Sequence, residues 1–250
     1  MRRLLLRAPR GSLLALAAAW LLFPNMSLAA PPGPPDKAKI PAVRWDEGRP
    51  GCTFSRSDDG YYHYGLIDKD LVINVAIDAQ ELEKVHRRHE PFFAVLLNLR
   101  YNGKELAGLH VERISLEFAD HFHTVQTTLD PDAFAQKVQN DSDELDHATA
   151  REIGKHPEEK ESKEAYMRAF LKDSAELQEF IGKNSLRVTE LGPGNPDSKG
   201  WVLFSTSNKW IGRWKKQENL ILRVPFAGTV YEFPFQLPPK PADTMLRKRP

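Results

Sequence analysis

From Cys52 onward, apolar residues recur at every second position. Leu71, Ile73, Val75 and Ile77 alternate with Val72, Asn74, Ala76 and Asp78. A two-residue period puts one row on a buried face, so the pattern predicts a strand. Phe93, Val95, Leu97, Leu99 and Tyr101 form the next apolar row. The opposite row begins Phe92, Ala94, Leu96, which predicts a central strand buried on both faces near its start. Asn102-Gly103 follows at once and predicts a hairpin, since both residues accept positive φ. Ile114, Leu116 and Phe118 alternate with Arg113, Ser115 and Glu117, giving a third strand with Glu117 on its polar row.

Towards the C-terminus, Trp201 to Ser205, Leu220 to Val224 and Thr229 to Leu237 read as three more strands, with a turn at Pro225-Phe226-Ala227-Gly228. Pro234 removes an N–H from the last of them, which predicts an edge position for that strand.

Elsewhere the period is helical. Leu82 and Val85 sit among Glu81, Glu83, Lys84, Arg87 and Arg88, and Pro91 ends the pattern. This predicts a short crossover helix over 79–89. Asp130 can cap a helix with Pro131 in its first position, and Phe134 and Val138 supply its apolar face. Further helices are predicted over 143–153 and 158–181, with Gly182 as a C-terminal cap.

Six to eight strands without βαβ alternation argue against a doubly wound parallel sheet. The expected fold is mainly β with a helical insertion at 142–182: an antiparallel β-sandwich of immunoglobulin-like architecture, without that fold's paired cysteines. One domain is expected over 52–239.

The N-terminus changes the charge arithmetic. Residues 1–29 have a basic start (Arg2, Arg3, Arg7, Arg10), an apolar run from Ser12 to Phe23 and small residues at Ser27 and Ala29. This is the pattern of a secretory signal, with cleavage expected between Ala29 and Ala30. The apolar run is shorter than the ~20 residues a spanning helix needs. A secreted or periplasmic product without a transmembrane helix is expected. Six prolines between 30 and 51 predict an extended linker, and residues 240–250 a loose basic tail.

Without the four signal arginines, 31 basic residues face 34 acidic ones. A mildly acidic chain disfavours nucleic acid as partner. Charge is also segregated: residues 142–182 carry 11 acidic and 6 basic side chains, and residues 199–250 carry 10 basic and 3 acidic. Cys52 stands alone, so no internal disulfide exists, and either a free thiol or an intermolecular bridge is open to it.

Catalytic motifs are missing. No G-x-S-x-G elbow and no phosphate-cradling glycine loop occur, and Ser205-Thr206-Ser207 lacks flanking glycines. His121 and His123, if on a strand, share a face and supply two metal ligands of the three or four a site needs. His86 and His89 do not have the order of a zinc protease helix.

The segment K-W-I-G-R-W-K-K over 209–216 sets two indoles among cations. Trp210, Arg213, Trp214 and Lys215 are therefore the candidate contact residues for a ligand or partner. Tyr61, Tyr62, His63 and Tyr64 read as a strand with tyrosines on both faces. The resulting expectation is a non-enzymatic, cofactor-free binding or interaction module of the cell envelope, taking an envelope polymer or a protein. Its alternatives are an exported metal-dependent hydrolase using His121 and His123, and an assembly protein using the helical insertion.

Overall fold

The computed structural model describes residues 40–57, 61–78, 92–205 and 217–237. The chain divides into two compact units, Met1–Lys39 and Ile40–Pro250, and every described residue belongs to the second. The expected signal, its cleavage point, the proline run through residue 39, the helix over 79–89, the segment 206–216 and the tail 240–250 lie outside the described residues.

The fold is mostly β, with several sheets and two helices. One five-stranded sheet has β2 (Cys52–Arg56), β3 (Tyr61–Asp68), β4 (Leu71–Asp78) and β5 (Phe92–Tyr101) in sequence, with β10 (Asp197–Ser205) beside β5. The other runs β1 (Ala42–Arg44), β12 (Thr229–Leu237), β11 (Glu218–Phe226), β7 (Ser115–Phe118), β8 (Thr124–Thr127). A small ribbon pairs β6 (Ala107–Leu109) with β9 (Thr189–Leu191).

The alternating apolar rows do what their period implies. Ile73, Val75, Phe93, Val95, Leu97 and Leu99 of one sheet join Leu116, Phe118, Leu222, Val224 and Phe233 of the other in a single buried cluster. Tyr231 reaches across this core, its hydroxyl donating to Asp68 Oδ2 at 3.2 Å. Burial, reinforced by the Asp68 charge, pushes the Tyr231 phenol up to about 12. An unfolded tyrosine titrates near 10. The neutral phenol therefore stabilises the fold fully below pH 10, and that contribution is lost as pH rises from 10 to 12. Urea titrations across this window should show a fall of roughly 2–3 kcal/mol that Tyr231→Phe removes.

Three sequence expectations change. Asn102-Gly103 does not make a hairpin: β5 lies between β4 and β10, and Asn102 N–H donates instead to Asp70 O at 2.7 Å. A Cβ at position 103 would meet the Tyr101 ring at 2.1 Å, so that ring would have to swing aside to admit one. The segment expected as linker reaches into the fold, since β1 pairs in parallel with β12, Val43 opposite Tyr231. The sheet it joins is accordingly mixed rather than wholly antiparallel.

Pro234 does mark an edge, though β12 is not the outermost strand. Val230 N–H and Glu232 C=O both face β1, and Pro234, of the same parity, faces that side beyond the last β1 pair at Arg44. The turn after β11 is a two-residue loop with both Ala227 and Gly228 at positive φ, which matches strand twist.

The helical insertion is one antiparallel pair, α1 (Pro131–Lys155) and α2 (Lys160–Asn184), longer than expected because Gly154 is absorbed into α1. Asp130 caps α1 by accepting from Ala133 N–H at 2.7 Å, with Pro131 next. Phe134, Val138, Leu177 and Ile181 bury against Phe92, Ala94 and Leu203 on the outer face of the β5–β10 pair. The doubly apolar start of β5 is thereby explained.

Further along, Ser142 and Ser174 are buried and hydrogen-bond back to the carbonyls of Val138 and Phe170. Exposed pairs such as Lys160–Glu164 and Lys172–Glu176 lace the acidic surface. Each contributes a few tenths of a kcal/mol.

Candidate functional site

β1 stops at Arg44, and the chain then crosses from one five-stranded sheet to the other to begin β2. At the crossing, Trp45 turns inward and is 7 % exposed. Its indole N–H is shared between Thr53 O at 3.2 Å and Gly65 O at 3.1 Å, which ties the end of one sheet to the edge of the other.

A cleft of about 460 Å³ opens here. Its apolar lining comes from core-side positions of both sheets, chiefly Trp45, Phe54, Tyr62, Tyr64 and Phe235. The rings meet largely edge to face: Trp45–Tyr64 at 5.0 Å and 80°, Phe54–Tyr64 at 5.1 Å and 64°. Such contacts fix the aromatic wall, since edge-to-face pairs are favoured by the ring quadrupoles.

The polar lining is Arg44, Asp120, Asn219 and Gln236. Asp120 Oδ2 accepts from Asn219 N–H at 3.2 Å and from Asn219 Nδ2 at 2.8 Å. Asn219 Oδ1 in turn accepts from Gln236 Nε2 at 2.6 Å. Three side chains from the β7–β8 turn, β11 and β12 thus form one connected chain. Nothing in the sequence signals this network, because Asp120 and Asn219 are 99 positions apart.

Asp120 belongs to a turn held from several directions. Phe122 and His123 both have positive φ, 53° and 54°, and Phe122 is fully exposed. Left-handed backbone costs about 1–2 kcal/mol per residue outside glycine. The contacts offsetting it are specific. Thr124 Oγ1 donates to His121 O at 2.7 Å, His121 Nε2 lies 2.7 Å from Glu218 Oε2, and His123 Nδ1 pairs with Glu117 Oε1.

Glu117, only 2 % exposed, also pairs with the Arg223 guanidinium. Arg223 Nε donates to Glu232 at 3.0 Å, and Arg44 lies 3.8 Å from the same carboxylate. A row of alternating charge therefore crosses four strands from the turn to the cleft.

The sequence-derived candidates fare differently. Trp210, Arg213, Trp214 and Lys215, with His86 and His89, lie outside the described residues. At the cleft, Glu218 of β11 pairs with Leu237 of β12, Phe118 ends β7, and Ile77 and Tyr62 lie one residue inside the ends of β4 and β3. His121 and His123 sit in the turn rather than on a strand, and each meets a different glutamate. Among the described residues, no group of three or more His, Cys, Asp or Glu side chains could hold a metal ion.

Cys52 is a half-buried free thiol that opens β2. Tyr62 and Tyr64 face the cleft, whereas Tyr61 lies beside Trp201 at 6.3 Å, so the tyrosines do take both faces of β3. Ser57 Oγ is 3.0 Å from His63 Nε2.

Sequence reasoning missed Trp45, Phe54, Phe235, Asp120, Asn219 and Gln236. The available signal for Trp45 was a short apolar alternation, Val43 to Trp45, directly after Pro41. No helix among the described residues is long and apolar enough to cross a membrane. Compared with known family models, curated proteins and solved structures, the chain matches none.

Proposed function

We propose that this chain is an exported, non-enzymatic binding module of the cell envelope, and that its ligand enters the aromatic cleft beside Trp45. The observation carrying this reading is the cleft itself. It has a volume within the roughly 300–1,000 Å³ of small-molecule sites, a fixed aromatic wall and a few convergent polar groups. Two five-stranded sheets sharing one core support a β-sandwich, immunoglobulin-like in its layering. Export rests on the tripartite N-terminus alone. The segment holding Trp210, Arg213, Trp214 and Lys215 is proposed as a second contact region.

The test uses Nile red, a neutral dye whose emission rises in apolar surroundings. Titration into the purified protein should saturate at one site. Gln236→Trp, which adds bulk at an exposed position of the lining, should abolish the signal without lowering the melting temperature. Absence of saturable binding, or binding unchanged by Gln236→Trp, would overturn the reading. Repeating the titration on Trp210→Ala with Trp214→Ala separates the two contact regions.

A further inference from the structure

We infer that the cleft takes a neutral saccharide, an inference that rests on the cleft being the binding site. Its two linings make complementary demands. The aromatic wall suits the C–H face of a sugar ring, which is apolar, while the polar lining suits the hydroxyl groups at the ring's edge.

Among the described residues, the polar chain is left half used. Gln236 spends one N–H on Asn219 and retains Oε1 and its second N–H. Asn219 spends Oδ1 and one side-chain N–H and retains the other. Asp120 Oδ2 receives both Asn219 donors, leaving Oδ1. Donors and acceptors therefore alternate along a short arc. A hydroxyl group offers one donor and two acceptors, so neighbouring hydroxyls on one ring can meet both kinds at once.

Other ligand classes fit less well. A purely apolar ligand would bury these polar groups without partners, which disfavours it. An anion would meet Asp120, and the described lining cation, Arg44, already lies beside Glu232. A cation would meet Arg44. The described lining carries one charge of each sign and suits a ligand that carries none.

The site is also prepared before binding. Asn219 is fixed through its backbone N–H, Nδ2 and Oδ1, and Asp120 by the strained turn. Donors held in place lose little freedom when the ligand arrives.

The experiment is competition by unmodified neutral disaccharides, cellobiose, maltose and N,N′-diacetylchitobiose, against bound Nile red. Galacturonic acid and glucosamine serve as charged controls, and saturation-transfer NMR on each sugar gives an independent readout. The inference expects at least one neutral sugar to displace the dye with a Kd of about 1 mM or tighter. Asn219→Ala should weaken sugar binding about tenfold, the worth of one lost hydrogen bond, and dye binding by less. If the dye binds but only charged sugars, or none, displace it, the saccharide inference falls while the cleft reading stands. Sugar binding that survives both Asn219→Ala and Gln236→Trp places the sugar elsewhere and also overturns the inference. If neither dye nor sugar binds, the cleft reading falls and takes this inference with it.

Discussion

Trp45→Ala will lower the stability of the fold by about 3–5 kcal/mol, the range for truncating a buried Trp. Two losses combine in that figure. The indole is 7 % exposed and packs against Phe54 and Tyr64, so truncation leaves a void joined to the cleft. Its N–H serves two carbonyls, Thr53 O and Gly65 O, on different strands. The backbone N–H of residue 45, which donates to Glu232 O at 2.7 Å where β1 ends, is kept by the substitution.

Trp45→Phe separates the contributions, because it keeps most of the apolar area and drops the indole donor. Its cost should be about 1–2 kcal/mol, in keeping with one lost buried hydrogen bond and imperfect filling. Urea midpoints at constant m-value measure both. If Trp45→Ala shifts the midpoint by less than Trp45→Phe, the packing account of this residue is wrong.

The second large effect is at Glu117 and Arg223. Removing one member of a buried ion pair costs about 3–5 kcal/mol, because the other charge stays buried without compensation. Arg223 is itself 34 % exposed, which brings the expected cost of Arg223→Met to the lower end, about 3 kcal/mol. Glu117→Gln should cost less, since the amide still reaches His123 and leaves no buried charge. The double variant should recover much of the Arg223→Met loss, giving a coupling of about 1–3 kcal/mol in the cycle. Simple additivity of the two single changes would show that the pair does not interact in solution.

The strand cores were legible because their period survives in the structure. The rows Leu71 to Ile77 and Phe93 to Tyr101 became β4 and β5, and the predicted double burial at the start of β5 is satisfied by Phe134, Leu177 and Ile181 of the helix pair. Asp130-Pro131 gave a correct helix start because capping is local chemistry.

What failed was non-local. Glu117 has the sequence signature of a solvent-facing position, and its burial is made tolerable by His123 and by Arg223, 106 positions later in the chain. His121 and His123 share a face in an extended strand, but Phe122 and His123 are both left-handed, which sends the two imidazoles to different carboxylates. Asn102-Gly103 has hairpin chemistry, yet the neighbour place beside β5 goes to β10, whose nine pairings outweigh a local turn preference. The cleft assembles from the ends of elements spread over nearly the whole described chain. No window of the sequence contains it.

The parallel pairing of β1 with β12 sets a condition on how the molecule can fold. Ala42 faces Val230, so the first described strand finds its partner only in the last. The other sheet is no more self-sufficient, because β5 lacks one neighbour until residues 197–205 have been made. A chain emerging from its N-terminus can thus complete neither sheet until its final fifth is present. Until then only β1, β7 and β8 of the facing sheet exist to cover the apolar rows of β4 and β5. Such long-range closure implies slow, late and cooperative folding. It also makes C-terminal truncation before Leu237 costly out of proportion to its length, since cutting β12 removes the partner of β1 and half the support of β11 together.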